Sequence, residues 1–101
     1  MKATKIISIY AKTDLSDASK WYENQQKGLG KRFLNEMKEA FDVICKNPLG
    51  FQIRYDDCRV YFTKTFPYGI HYQYVSGKNE VRIKAIFHTS RHPQTWEQRV
   101  M

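Results

Sequence analysis

The second half of the chain holds side chains of types that suit phosphate and base recognition: Arg59, Tyr61, His71, Gln73, Arg82, Lys84, His88 and Arg91. An imidazole titrates near neutral pH and can give or take a proton. Guanidinium and ammonium groups hold phosphate oxygens, and a tyrosine ring stacks on a nucleobase. The densest stretch is "HTSRHPQTW", from His88 to Trp96. In it, His88 and Arg91 are candidates to act on or grip an anionic partner, and Pro93 and Trp96 read as anchors of a short last helix.

Other chemistries fit these residues less well. A zinc site from Cys58, His88 and His92 lacks paired thiols, and Pro93 interrupts the second histidine's helix face, so no metal is expected. A Cys–His nucleophile built on Cys58 has no evident orienting third residue. Asp56–Asp57, just before a strand, reads as turn chemistry. Trp21 and Trp96 read as packing residues of core or hairpin. No cofactor motif is present in the sequence, and none is expected.

Several elements must position these side chains. Residues 4–11 read as a first strand, rich in Ile and Tyr. The run Ile6–Ala11 is too short, and too broken by Ser8, for the apolar segment of a signal peptide. A helix follows, capped by Thr13 or Asp14, with Leu15, Ala18, Trp21 and Tyr22 at helical spacing and Gly28 as its stop. A second helix covers about 29–46, with an apolar stripe of Phe33, Leu34, Met37, Phe41, Ile44 and Cys45. Asn47–Pro48 ends it, and the short link makes the two helices a hairpin. A short alternating piece is expected at 51–55 and strands at 59–65, 68–75 and 80–88, joined by short turns and therefore antiparallel. The order is β-α-α-β-β-β-α. This predicts one α+β domain over 1–101, with a helical hairpin on one face of a largely antiparallel sheet.

Period-two alternation divides the strand residues between two faces. In 80–88 it sets Val81, Ile83, Ala85 and Phe87 against Glu80, Arg82, Lys84, Ile86 and His88. In 68–75 it sets Tyr68, Ile70, Tyr72 and Tyr74 against Gly69, His71, Gln73 and Val75. In 59–63 it sets Val60 and Phe62 against Arg59, Tyr61 and Thr63. The apolar sets are expected to meet the helices. The outer face is expected to gather Arg59, Tyr61, His71, Gln73, Arg82, Lys84 and His88, with Arg91 just beyond.

Composition narrows the partners. Seventeen Lys and Arg against ten Asp and Glu give a net charge of +7, a field that attracts polyanions or acidic proteins. The excess is spread, with nine basic and six acidic residues in 1–51 and eight and four in 52–101, so it marks no basic tail. No stretch approaches the roughly 20 apolar residues of a membrane span, and no membrane partner is expected. Cys45 and Cys58 are the only cysteines. Two thiols without a CxxC pairing read as free groups of a reducing cytoplasm.

Taken together, "DLSDASKWYENQQKGLGKRFLNEM", the helix-ending "NP", "FPYGIHYQY" and the closing "IKAIFHTSRHPQTWEQR" resemble the RelE/ParE toxin superfamily, over nearly the whole chain. The superfamily comprises the toxic halves of bacterial type II toxin–antitoxin (plasmid-stabilisation) modules. The resemblance implies the fold order above and an antitoxin partner that wraps and neutralises the toxin. RelE-like members are metal-independent, ribosome-dependent messenger RNA endonucleases, whereas ParE-like members poison DNA gyrase.

For RNA cleavage, His88 or His71 is the candidate base or acid, and Arg59, Arg82, Lys84 and Arg91 are candidate phosphate holders. For partner binding the candidates are Arg59, Tyr61, Arg82, Lys84 and Arg91. RelE-like nucleases often carry an arginine just after the tyrosine that matches Tyr68, and here Gly69 stands there. The closing histidine, R-x-P and tryptophan look more like the ParE-like branch. A gyrase-directed toxin is therefore the expectation. A messenger RNA endonuclease and a non-toxic binding module are the alternatives.

Overall fold

A computed structural model describes residues 2–90. Arg91, His92, Pro93, Trp96 and the expected last helix lie outside the described residues. The elements are β1 (Thr4–Ile7), α1 (Ile9–Gln25), α2 (Leu29–Lys46), β2 (Ile53–Tyr55), β3 (Cys58–Phe62), β4 (Tyr68–Val75) and β5 (Glu80–His88). They build a five-stranded sheet in the order β1-β5-β4-β3-β2. β1 runs parallel to β5, and the other neighbours are antiparallel. The expected order holds as far as His88 except for one addition: the short β2 is a strand of its own, so four strands follow the hairpin where the order β-α-α-β-β-β-α has three.

The first strand is shorter than the sequence suggests. Ser8 ends it and caps α1, accepting a hydrogen bond from the Ala11 amide at 3.1 Å. The same hydroxyl donates to the Lys84 carbonyl at 2.8 Å, which fixes the helix start to β5. A serine oxygen satisfies an otherwise orphaned helix amide, so Ile9–Ala11 become the first helical turn instead of strand. Asp14, expected as a cap, instead accepts from the Ile86 amide of β5 at 2.9 Å.

Gly28 does provide a left-handed residue, with φ +87°, but it stands at the start of α2 and not at the end of α1. The Glu23 carboxylate reaches over the turn and accepts from the Gly28 and Gly30 amides at 2.9 and 3.1 Å. It closes the α2 N-terminus that glycine leaves uncapped. Gly30 is where the helices touch, for a Cβ there would stand 2.5 Å from the Ser19 carbonyl oxygen. Within α2, Phe33, Met37, Phe41, Ile44 and Cys45 are buried as expected, joined by Ala40, while Leu34 is exposed. Trp21 leans edge-on against Tyr22 but leaves 57% of its surface in solvent, so it is only partly a packing residue.

Between hairpin and sheet lies the core: Ala11, Ala18, Phe33, Met37, Phe41, Ile44, Ile70, Tyr72, Val81, Ile83 and Ile86. Phe66, from the β3–β4 loop, joins it beside Tyr22 and Phe33. Glu36 of α2 holds that loop, accepting from the Thr65 and Phe66 amides at 3.0 and 2.9 Å. Asp56 and Asp57 both have positive φ, 41° and 60°. They form the tight β2–β3 turn expected of them, with the mirror-image geometry that two-residue hairpins prefer.

Candidate functional site

β5 carries a β-bulge. Tyr72 pairs with Ile83 and His71 with Ala85, which leaves Lys84 as an extra residue. One extra residue reverses every later side chain. Val81 and Ile83 face the helices before the bulge, and Ile86 does so after it. Ala85 and Phe87 therefore turn to the outer face, where the Phe87 ring packs edge-on against His71 at 5.2 Å. His88 turns the opposite way, toward the helix side, and meets the Tyr68 ring at 5.4 Å. The expected faces hold for β4 and for the first half of β5, and are reversed beyond Lys84. The sequence contained the signal: Ile86 was the apolar residue out of place among the charged ones.

β3 is reversed as well. Arg59 pairs with Tyr72 and Tyr61 with Ile70, so both point to the helix side. Val60 and Phe62 pair with His71 and Gly69 and point outward. Arg59 Nη1 donates to the Phe51 carbonyl at 2.6 Å, and Tyr61 stands edge-on to the Phe51 ring at 4.9 Å. The expected single polar face is thus two surfaces. His71, Gln73, Arg82 and Lys84 belong to the outer face, while Arg59, Tyr61 and His88 belong to the helix side. Arg91 lies outside the described residues.

On the outer face His71 is fully buried. Its Nδ1 lies 2.7 Å from the Tyr55 hydroxyl. Burial pushes its pKa down to about 4, which leaves the ring neutral at pH 7, without the imidazolium proton that a general acid gives up. Cys58 is equally buried, and desolvation raises its thiol to about 11 against the opposing pull of Tyr55 and Lys84. It is protonated at neutral pH, and a thiol in that form is a poor nucleophile. Arg82 is held by Glu80 at 2.7 Å. Gly69 sits among these groups in a tight position, where a side chain needs Val60 to give way by a few tenths of an ångström. A Cβ there would stand 3.0 Å from Val60 Cγ1 and 3.4 Å from both His71 Nε2 and Phe62 Cε1.

Sequence reasoning missed two features. Arg54 lies over the exposed Phe62 ring at 5.5 Å, a cation–π pair on the outer face beside Gly69. α2 is also flanked by two grooves. One, of about 680 Å³, lies against β1 and is lined by Lys2, Lys5, Lys38, Phe41 and Asp42 among others. The other, of about 320 Å³, lies against β3 and is lined by Glu36, Val43, Tyr61, Thr63 and Lys64 among others. β1 forms one border of the sheet. The Thr4 and Ser8 amides bond toward β5, so those of Lys5 and Ile7, alternating with them, point to the edge that no further strand covers among the described residues. Among the described residues no three His, Cys, Asp or Glu side chains cluster as a metal site needs. No helix of the described chain is long and apolar enough to cross a membrane.

A helical hairpin on one face of a mixed five-stranded sheet is the fold of the RelE/ParE superfamily of type II toxin–antitoxin toxins. Residues 6–93 match the family described as ParE toxin of the type II toxin–antitoxin system parDE, and the chain belongs to that family. A chain of the intact Escherichia coli RelBE toxin–antitoxin complex superposes with a TM-score of 0.67 at 15% identity, over 88% of this chain and 99% of that one. One from the RelBE2 complex of Mycobacterium tuberculosis gives 0.62 at 16% identity, over 90% and 95%. A double arginine-to-alanine mutant of E. coli RelE in the free state gives 0.63 at 13% identity, over 99% and 96%. No curated protein matches the sequence.

Proposed function

We propose that this toxin acts in the ParE manner, by trapping DNA gyrase on cleaved DNA in the cytoplasm, and that it is not a nuclease. The observation that carries this reading is the division of the acid–base and phosphate-holding candidates between two faces of the sheet, with His88 turned by the Lys84 bulge and Arg59 by the β3–β4 register. Cleavage of RNA by its own 2′-hydroxyl needs base, acid and phosphorane stabiliser around one phosphate. Here His71 is buried and neutral, Arg82 is paired with Glu80, and the Gly69 position is crowded by Val60. The ParE family match supports the same branch. Purified gyrase with supercoiled plasmid is the test. The toxin is expected to accumulate cleaved plasmid and to leave messenger RNA whole on translating ribosomes. Message cleavage that His88→Ala abolishes, with no effect on gyrase, overturns it.

A second reading, a metal-independent messenger RNA endonuclease, draws on one observation. His88 is only half-buried and sits beside Tyr68, with Ser90 Oγ 2.8 Å from its Nδ1. Arg91 would then be its phosphate holder. If expression neither arrests growth nor damages message or DNA, the chain is a non-toxic binding module of the same fold.

The partner in the first two readings is a cognate antitoxin. Its docking surface is the groove between α2 and β1, continued by the open edge of β1. Lys5 and Lys38, which line that groove and form no ion pair among the described residues, complement an acidic antitoxin tail, and the edge offers the Lys5 and Ile7 backbone to an added strand.

A further inference from the structure

The hairpin tip carries a local excess of cations. Residues 20–32 hold Lys20, Lys27, Lys31 and Arg32 against a single acid, Glu23. This stretch supplies three of the seven net positive charges from 13 of 101 residues. All four cations are exposed. None forms an ion pair among the described residues, whose salt bridges involve other cations. Glu23 faces the turn, where the Gly28 and Gly30 amides hold its carboxylate. At 1.5 Å rise per residue, Lys20 lies within two helical turns of the tip, as Lys31 and Arg32 do on the other helix.

This charge is placed against local helix energetics. Lys31 and Arg32 stand in the first turn of α2, which has no acidic residue, although the positive end of a helix dipole favours acids there. A local conflict of this kind marks a position selected for something other than folding. Trp21 is also largely in solvent at the same end, on the last turns of α1. Its neighbours Asn24, Gln25 and Gln26 are exposed amides. Cations to neutralise phosphates, amides to hydrogen-bond their oxygens and an accessible indole are the composition of a backbone-tracking nucleic-acid surface.

We propose that the hairpin tip binds the phosphate backbone of nucleic acid without sequence preference, through Lys20, Lys27, Lys31 and Arg32. This surface is separate from the β1 groove assigned to the antitoxin and does not depend on gyrase being the target. The phosphates can belong to duplex DNA or to single-stranded RNA, and the experiment separates the two.

The full-length chain is titrated with a labelled 30-base-pair duplex and, separately, a 20-nucleotide RNA, at several salt concentrations. A protein neutralising Z phosphates of duplex DNA shows a log–log salt slope near −0.9Z. The proposal expects binding to at least one of the two. The variant K20Q/K27Q/K31Q/R32Q is expected to lose at least tenfold in affinity and to flatten the slope by about three. The charge-matched control K12Q/K46Q/K64Q/K78Q is expected to lose less than threefold. K20R/K27R/K31R, which keeps the charge, is expected to bind like the parent and guards against misfolding, as does circular dichroism of every variant. Equal weakening by the tip and control sets overturns the proposal, because net charge alone then accounts for binding. Failure to bind either nucleic acid also overturns it, including the case where acidic polyglutamate binds the tip instead. No arm contains gyrase or antitoxin, so the result is independent of the toxin assignment.

Discussion

His71 shows how burial decides what a residue can do. In the sequence it is one of three histidines that can titrate near neutrality. In the fold it is enclosed by Tyr55, Phe87 and the packing around Gly69. Its pKa falls from 6.5 to about 4, so as pH drops the unfolded chain takes up the proton first. The stability held in its neutral form is therefore complete above pH 6.5, declines between 6.5 and about 4, and then levels off. The full swing is on the order of 3 kcal/mol. Urea unfolding at pH 7 and pH 4.5 should show a larger loss for the parent than for His71→Asn, and equal losses count against the buried neutral ring. Gly69 makes a second residue-scale case. Gly69→Arg, which restores the arginine of the nuclease pattern, should destabilise the fold by about 1–3 kcal/mol through crowding of Val60. It should not produce message cleavage. Val60→Ala in the same chain should recover part of the midpoint shift in urea.

At the scale of elements, two local devices decide where side chains point. The Lys84 bulge lets Val81, Ile83 and Ile86 share one core even though their spacing breaks period two. Deleting Lys84 should restore strict alternation and drive Ile86 out of the core. The deletion variant is expected to lose its cooperative thermal transition, and a parent-like melt would mean that the bulge is dispensable. The hairpin turn depends on Glu23, which holds two amides of an α2 N-terminus that glycine leaves uncapped. Glu23→Ala should cost about 1 kcal/mol, the usual size of a lost N-cap, read as a fall in the urea midpoint at unchanged slope.

For the whole molecule, the proposed antitoxin docking uses the β1 border of the sheet, which no further strand covers among the described residues. Lys5→Pro removes an outward-pointing amide, and an edge strand tolerates proline on its open side. The variant should stay folded and retain its toxic activity while its affinity for the antitoxin falls at least tenfold by calorimetry. Unchanged affinity would place the antitoxin elsewhere, with the β3-side groove of α2 as the next surface to examine. Lys2 and Lys46 are paired with Asp42 near the groove, whereas the hairpin tip leaves its cations unpaired among the described residues.

The order of elements was legible in the sequence because each rests on local rules. Helical spacing and Asn47–Pro48 defined α2, and alternation with short turns defined β4 and β5, whose limits agree with the structure. The "FPYGIHYQY" and "IKAIFHTSRHP" stretches pointed to the toxin superfamily that the family match then showed. Less of the candidate site was legible. Whether Arg59 and Tyr61 face the helices depends on their pairing with Tyr72 and Ile70, a non-local register that no short window contains. The turn of His88 away from Arg82 depends on one unpaired residue in the β4–β5 ladder. The sequence by itself determined which elements form, because propensity, capping and periodicity act over a few residues. Only the tertiary structure decided which chemical groups share a face, because strand register is settled by burial across the whole sheet.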